Sequence, residues 1–158
     1  MSENKFQDHI YFLPEDDANK DILNGLIVKL STNQIRVLNV AGGWSKAIEQ
    51  FKSTHVQNLR RYTVRHFVLV IDIDKSETRI KDFLNEVPVD LSERVFILGT
   101  WSEPEELKAK LQCNYEKIGN QIAEECKNDS IDFWNHELLK HNMDELRRLN
   151  LVMKKIIF

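Results

Sequence analysis

Short apolar runs alternate along the chain with longer segments of helical periodicity. Four runs, at residues 9–14, 35–40, 66–72 and 94–99, are almost continuously apolar, and such runs predict buried β-strands. After each run, apolar side chains recur at intervals of three or four residues, which predicts a helix. The predicted order is therefore strand then helix, four times over.

This alternation predicts an α/β fold with three layers. Strands that alternate with helices form a mostly parallel four-stranded sheet that carries helices on both faces. Burial on both faces explains why the four runs lack alternating polar positions. Further helices are predicted in the C-terminal part, with a break near residues 128–130 and one helix at 131–149 that brings Trp134 into the core.

Length favours a single domain. The chain has 158 residues, which matches one domain with a sizeable core. We expect this domain to span residues 1–158, with the α/β core at 8–111 and a helical extension at 112–158 packed on it. Cys113 and Cys126 are the only cysteines. They are expected to be free thiols, and they are too few for a structural zinc site.

Hydropathy predicts neither a membrane span nor a secretory signal. No stretch of 18 apolar residues occurs, so a transmembrane helix is not expected. The N-terminal residues 1–9 are polar and lack an apolar signal core, which predicts a cytoplasmic protein. The chain also lacks a Walker motif, a dinucleotide fingerprint and a nucleophile elbow, which leaves metal-assisted phosphoryl chemistry as the enzyme class to consider.

Basic residues are concentrated in the middle of the chain. The net charge is −3, yet residues 36–66 hold six Lys and Arg side chains and one acid, Glu49. A basic segment between acidic flanks is typical of a surface that faces nucleic acid phosphates. The alternative is a solvated helix face without a ligand.

Carboxylates follow two of the predicted strands. Glu15, Asp16 and Asp17 come after the first strand, and Asp72 and Asp74 come at the end of the third. Ligands of parallel α/β sheets bind at the carboxyl ends of the strands. If these strands are neighbours, their ends lie about 5 Å apart, and two carboxylates there repel by roughly 3 kcal/mol at an effective dielectric constant of about 20.

A divalent cation would remove that repulsion. Carboxylate oxygens are hard donors, and no Cys or well-placed His accompanies them, so the set favours Mg²⁺ or Mn²⁺ over Zn²⁺. The alternative role for each acid is to cap a helix, because Asp and Glu are common in first turns.

The acidic pattern resembles the Toprim domain of topoisomerases, primases, RNA maturation nucleases and the overcoming-lysogeny-defect nucleases of phage defence. The resemblance covers roughly residues 8–111. It implies that Glu15 is the family glutamate and that Asp72 and Asp74 are the metal-binding pair, which together hold Mg²⁺ for phosphodiester cleavage or nucleotidyl transfer. It also suggests a partner ATPase. Where the family usually has glycine after the glutamate, this chain has Asp16.

The same segments also resemble the receiver domain of response regulators. That resemblance implies an acidic group at residues 15–17, phosphorylation of Asp72 and a hydroxyl from Thr100. The expected fifth strand that ends in Lys-Pro is absent from the sequence, and Asp74 has no role in this interpretation. A third hypothesis is a catalytically silent α/β interaction module whose acids only cap helices.

Four further residues are secondary candidates. Lys75 follows the Asp-x-Asp pair and is a candidate to hold a phosphate or leaving group, or only to neutralise the acids beside it. Glu103 follows the fourth strand and is the acid of that segment to test, although capping is its simpler role. His136 and His141 are five residues apart, which is not the spacing that aligns two ligands on one helix face.

Overall fold

The sheet has the predicted parallel form. The computed structural model describes residues 3–128, 130 and 132–157, without the side chain of Glu77. All strand pairs are parallel, and the strand order is β2-β1-β3-β4. The strands are β1 (His9–Pro14), β2 (Ile35–Val37), β3 (Arg65–Asp72) and β4 (Val95–Thr100).

Helices cover both faces of this sheet. The α-helices of the described residues are α1 (Asp17–Leu30), α2 (Trp44–Gln50), α3 (Val56–Arg61), α4 (Glu77–Glu86), α5 (Pro104–Leu111), α6 (Tyr115–Asn128) and α7 (Met143–Ile157). Within the described part of the chain, none is long and apolar enough to cross a membrane.

Alternate residues of β1, β3 and β4 enter two different cores. Phe12 and Val68 pack with apolar side chains of α1, α6 and α7 on one face. Leu13 and Leu69 pack on the other face with side chains of α2, α3 and α4. Because successive side chains of a strand point to opposite faces, the continuous apolar runs supply both cores. The predicted three-layer α/β architecture is therefore confirmed.

Three predicted element boundaries are wrong. The second strand ends at Val37 rather than at residue 40, because the chain bulges there, although Ala41 still donates its N–H to Pro14 O at 2.8 Å. The single helix predicted after it is divided by a π-helical turn at Phe51–His55. The helix predicted at 131–149 begins only at Met143, and residues 129 and 131 lie outside the described range.

The segment before α7 is irregular because it covers the free edge of β4. Two 3₁₀ turns replace the predicted helix, Asp132–Asn135 and Lys140–Asn142, and Trp134 is buried as expected. The Asn142 side chain accepts a hydrogen bond from Gly99 N at 3.0 Å and donates one to Gly99 O at 2.8 Å. An amide side chain thus pairs with β4 as a neighbouring strand would.

Two further side chains complete this cover. Glu145 accepts a hydrogen bond from Ile97 N at 3.0 Å, and His141 donates one to Gly99 O at 2.7 Å. The backbone groups of an edge strand would otherwise be open to pairing with another chain. The place of a fifth strand beside β4 is therefore filled by side chains.

Replacing Asn142 with leucine is expected to lower the free energy of unfolding by about 2 kcal/mol, because it leaves the buried N–H and C=O of Gly99 without this partner. Thermal melts should show a fall of roughly 4–8 °C for a chain of this size. Asn135→Leu, at an exposed position of the same segment, is the matched control. Equal melting temperatures of wild type and Asn142→Leu would contradict the edge-pairing role.

Candidate functional site

Glu15 joins the ends of β1 and β3. Its backbone N–H donates to Val70 O at 2.9 Å and thus extends the parallel ladder one residue beyond Pro14. Its side chain is buried, and Oε2 accepts a hydrogen bond from the Asp72 N–H at 2.7 Å. Its backbone carbonyl accepts the N–H of Gly42 at 2.9 Å. Glu15 is therefore bonded to two segments, β3 and the turn at Gly42, and its carboxylate is bonded to the end of β3.

Asp72 is the last residue of β3 and stands beside Glu15. The amide of Asn19, a buried residue of α1, donates to Asp72 Oδ1 at 3.2 Å. Burial, and after it the negative charges of Asp16 and Glu15, raise the pKa of Asp72 to about 7, against the hydrogen bond from Asn19, which lowers it. The half-buried Asp72 carboxyl therefore gives up its proton far less readily than an ordinary aspartate.

The pKa of Glu15 is raised in the same way. Burial is the largest cause, and the charges of Asp16 and Asp74 add to it. The hydrogen bond from the Asp72 backbone and the charge of Arg79 act in the opposite direction. Both strand-end carboxyls thus hold protons more tightly than usual, because burial disfavours their charged forms and neighbouring acids add to this effect.

Asp16 has a structural role that the sequence left as one of two alternatives. It is the N-cap residue of α1, and its Oδ1 accepts the Asn19 N–H at 3.0 Å. The same carboxyl group is close enough to Asp72 to raise the pKa of Asp72 by charge and by a hydrogen bond. Asp17 lies in the first turn of α1 and is exposed.

The predicted partner of Asp72, Asp74, lies at the rim of the site. Asp74 and Lys75 both have φ values of 57°, in the left-handed region, so the alternation of a strand ends before them. The Asp74 side chain is 63% exposed and faces Arg79, with 3.7 Å between Oδ2 and Nη2. Two consecutive non-glycine residues in this conformation store strain, which is typical of functional turns.

Lys75 is held in this turn through its backbone. Its N–H donates to Trp101 O, beyond the end of β4, and its side chain is exposed. The pKa of Glu106 is lowered chiefly by a hydrogen bond from Ser102 and in part by the charge of Lys75. The positive charge of Lys75 therefore affects the pKa of a carboxylate on α5, although Lys75 follows Asp74 in the sequence.

Arg79 is a site residue that sequence reasoning missed. It lies on the first turns of α4, and its Nη1 donates to the backbone carbonyl of Asp72 at 2.8 Å. Its guanidinium carbon lies 5.5 Å from the centre of the Trp44 ring. No sequence signal marks this arginine, because its role depends on the reversal of the chain at Asp74 and Lys75. The same holds for Asn19, whose contact with Asp72 spans 53 positions.

Glu103, the candidate acid after β4, is exposed and is the residue immediately before α5. The hydroxyl of Ser102, the residue before Glu103, donates to the Glu106 carboxylate. Within the described residues, no hydrogen bond joins the Glu103 side chain to Asp72.

Thr100 is opposite Asp72 in the register of β3 and β4. Its side chain is buried, and the hydroxyl donates to the backbone carbonyl of Ser102 at 3.1 Å. This hydroxyl is therefore engaged in the turn that follows β4.

The two histidines have local structural contacts. His136 Nδ1 accepts the N–H of Leu138 at 3.1 Å, and His141 contacts β4 through Gly99. Burial lowers the pKa of His141, which favours the neutral ring.

The basic segment 36–66 does not form one continuous surface. Arg65 begins β3, at the sheet end away from the carboxylates, and is buried with its guanidinium 3.9 Å from the Tyr11 ring centre. The exposed bases Arg60 and Lys52 form ion pairs with Asp90 at 3.1 Å and with Glu86 at 3.1 Å. Lys46 is exposed and its side chain lies beside Gly42, whose N–H donates to the backbone carbonyl of Glu15.

The carboxylates fit a cation that keeps much of its water shell. Among residues 3–128, 130 and 132–157, no group of three or more His, Cys, Asp and Glu side chains forms a ready metal cage. Mg²⁺ commonly uses one or two carboxylates together with water and substrate phosphate, so such a cage is not required. Glu15 and Asp72 match that donor set, and their raised pKa values show that negative charge here lacks full compensation.

Comparison with known proteins does not assign the chain to a family. No protein-family model, curated protein or solved structure matches the chain. The resemblance of the acidic pattern to the Toprim domain therefore stays a prediction.

Proposed function

We propose that this protein carries out Mg²⁺- or Mn²⁺-dependent phosphodiester cleavage or phosphoryl transfer on nucleic acid, as a Toprim-like nuclease. The observation that carries the proposal is the pair of carboxylates Glu15 and Asp72 at adjacent ends of β1 and β3. Burial and the charges of neighbouring acids raise both pKa values, through Asp16 and Asp74 at Glu15 and through Asp16 and Glu15 at Asp72, which is the condition that a bound cation relieves.

Four side chains have distinct roles in this proposal. Glu15 and Asp72 would hold the cation, which when bound would polarise the phosphate and lower the pKa of water. Asp74, exposed at the rim, would contact the cation through water. Lys75 holds a phosphate oxygen or the leaving group, because it is the cation that follows Asp74 directly.

Nucleic acid binding is proposed on a smaller surface than the whole basic segment. Lys46 lies on the carboxylate side of the sheet, whereas Arg65 is buried near the opposite end. The side chains of Lys46 and Arg79 therefore support phosphate binding close to the reacting centre. A partner ATPase and a cytoplasmic location remain predictions from the sequence.

The receiver-like alternative is favoured by the register that places Thr100 opposite Asp72. Against it, the Thr100 hydroxyl donates to Ser102 O, and the place of a fifth strand is filled by Asn142 and its neighbours. The lysine that such a strand supplies in receivers therefore has no equivalent there. A phosphoryl adduct on Asp72 after treatment with acetyl phosphate and Mg²⁺, detected by intact mass, would favour the alternative.

The proposal is tested by incubating the purified protein with single-stranded and duplex DNA and RNA in Mn²⁺ and in EDTA. Wild type should cleave at least one substrate in Mn²⁺ and none in EDTA. Glu15→Gln should lose this activity, although its amide oxygen can still accept the Asp72 N–H and keep the strand ends together.

Glu93→Gln is the matched control, because this exposed carboxylate lies before β4, away from the site. It should keep wild-type activity. Cleavage that survives in EDTA, or an active Glu15→Gln protein, would overturn the metal mechanism.

A further inference from the structure

A polar groove runs beside the candidate site, between α2 and α4. It has a volume of about 500 Å³ and is lined by Trp44, Ser45, Ile48, Asp82, Asn85 and Glu86. This size falls within the usual range of small-molecule sites. No sequence pattern predicts that these residues lie together, and none of them has a part in the proposed metal chemistry.

Trp44 connects the groove to the carboxylates. Its ring packs on Arg79, which donates to the backbone carbonyl of Asp72 at 2.8 Å. Gly42, two residues before Trp44, donates its N–H to Glu15 O. The groove is therefore connected through Arg79 to the backbone of Asp72, and through the turn before Trp44 to the backbone of Glu15.

The side chains that line the groove indicate which kind of ligand fits it. Asp82 is acidic and exposed, and Glu86 is paired with Lys52, so the groove itself repels phosphate. Trp44 offers an aromatic face, and Asp82 and Asn85 offer hydrogen-bond acceptors and donors. A flat heterocycle with exocyclic amino or carbonyl groups suits these walls.

Two cations lie next to the groove. Arg79 packs on the Trp44 ring, Lys46 lies beside Gly42, and a Cβ atom at Gly43 would meet nothing within 4 Å. A backbone phosphate at Gly43 would have open space and these two cations near it. A nucleotide with its phosphate at Gly43 and its base in the groove fits this arrangement.

We propose that this groove binds the base that adjoins the reacting phosphate of a single-stranded nucleic acid, stacked on Trp44. The inference rests on the proposed function and names the substrate class of that site. A base in a duplex is stacked and paired, so it reaches the groove only when it is unpaired. Base stacking on aromatic side chains tolerates every base, so Trp44 provides affinity rather than sequence preference.

The test uses two fluorescein-labelled probes, a twelve-nucleotide oligothymidylate and a twelve-unit abasic strand with the same phosphates. Binding is followed by fluorescence anisotropy in Ca²⁺. Trp44→Leu, which keeps apolar bulk in the half-buried position, should weaken oligothymidylate binding by roughly 5- to 100-fold. It should leave binding of the abasic strand unchanged, and Trp44→Phe should retain most of the affinity.

Phe6→Ala is the matched control, because Phe6 is an aromatic residue that is 94% exposed and lies outside the groove. It should bind both probes as wild type does. Equal affinity of wild type for the two probes, or an equal loss of both in Trp44→Leu, would overturn the stacking role.

Failure of the stacking proposal can be distinguished from failure of the metal mechanism. Mn²⁺-dependent cleavage and its loss in Glu15→Gln report on the carboxylates alone. The two-probe comparison reports on Trp44 alone and requires no turnover.

Discussion

Replacing Gly119 with alanine is expected to lower the free energy of unfolding by about 3 kcal/mol, which for a chain of this size lowers the melting temperature by roughly 6–12 °C. Gly119 of α6 faces α1, where an added Cβ would lie 2.7 Å from the backbone N of Leu26 and inside van der Waals contact with Ile22 O. Both neighbours are backbone atoms, so the two helices must separate to make room.

The sign of this effect opposes helix propensity. Alanine is favoured over glycine in a helix interior by about 1 kcal/mol, so an alanine without steric contacts would stabilise α6. Gly25 of α1 makes the reciprocal approach, because a Cβ there would lie 2.8 Å from Glu116 C. The two glycines thus set the distance between helices that cover one face of the sheet.

Gln121→Ala is the matched control for this substitution, because Gln121 is exposed on the same helix. It should melt at or slightly above the wild-type temperature. Thermal melts followed by circular dichroism decide the matter, and a Gly119→Ala protein that melts as Gln121→Ala does would show that α1 and α6 do not approach so closely.

Local patterns were sufficient to predict the sheet. The strands ending at Pro14 and Asp72 are apolar on both faces, and this property is readable in single segments. The carboxyl ends of neighbouring parallel strands meet at one edge, so Glu15 and Asp72 were expected to be close. The hydrogen bond that the Asp72 backbone N–H donates to Glu15 Oε2 at 2.7 Å agrees with that expectation.

Periodicity was misleading in the C-terminal part. Residues 131–149 carry apolar side chains at helical spacing, yet the described portion before Met143 forms turns. The reason is tertiary, because Asn142 and His141 reach Gly99 on the free edge of β4. Pairing with a distant strand cannot be read from a local pattern.

The composition of the site was only partly predictable. An Asp-x-Asp pair on a continuous strand would place both carboxylates on one face. The strand instead ends at Asp72, and the left-handed backbone at Asp74 turns the second carboxylate toward Arg79. Asp16 is the acid that stands beside Asp72, since capping of α1 holds it there.

Asp72→Asn is expected to raise the melting temperature of the metal-free protein at pH 8, while it abolishes Mn²⁺-dependent stabilisation and cleavage. Asparagine keeps the side-chain oxygen that accepts from Asn19 and the backbone N–H that donates to Glu15. It removes the negative charge that burial and two neighbouring acids oppose. Such a trade between stability and activity is common at functional sites.

The size of the gain follows from the pKa of Asp72. A shift from 3.8 to about 7 corresponds to roughly 4 kcal/mol at most, and solvent screening at this half-buried carboxyl reduces it to about 2 kcal/mol. That free energy corresponds to an increase in melting temperature of roughly 4–8 °C.

The stability difference between wild type and Asp72→Asn should depend on pH. Between pH 3.8 and about 7 the folded protein holds a proton on Asp72 that the unfolded chain releases. Protonation of Asp72 therefore contributes its full stabilisation of the wild-type fold below pH 3.8, and this contribution is lost as the pH rises through about 7. The advantage of Asp72→Asn should be largest above pH 7 and should vanish near pH 4.

Thermal melts of wild type and Asp72→Asn at pH 4 and pH 8, each in EDTA and at pH 8 also in Mn²⁺, measure all three effects. In Mn²⁺ the wild type should gain about 2.7 kcal/mol when the free ion is a hundred times its dissociation constant, and the variant should gain nothing. A variant that melts below wild type in EDTA at pH 8 would show that Asp72 stabilises the fold by its hydrogen bonds. Together with a wild type that does not respond to Mn²⁺, this result would remove the metal site.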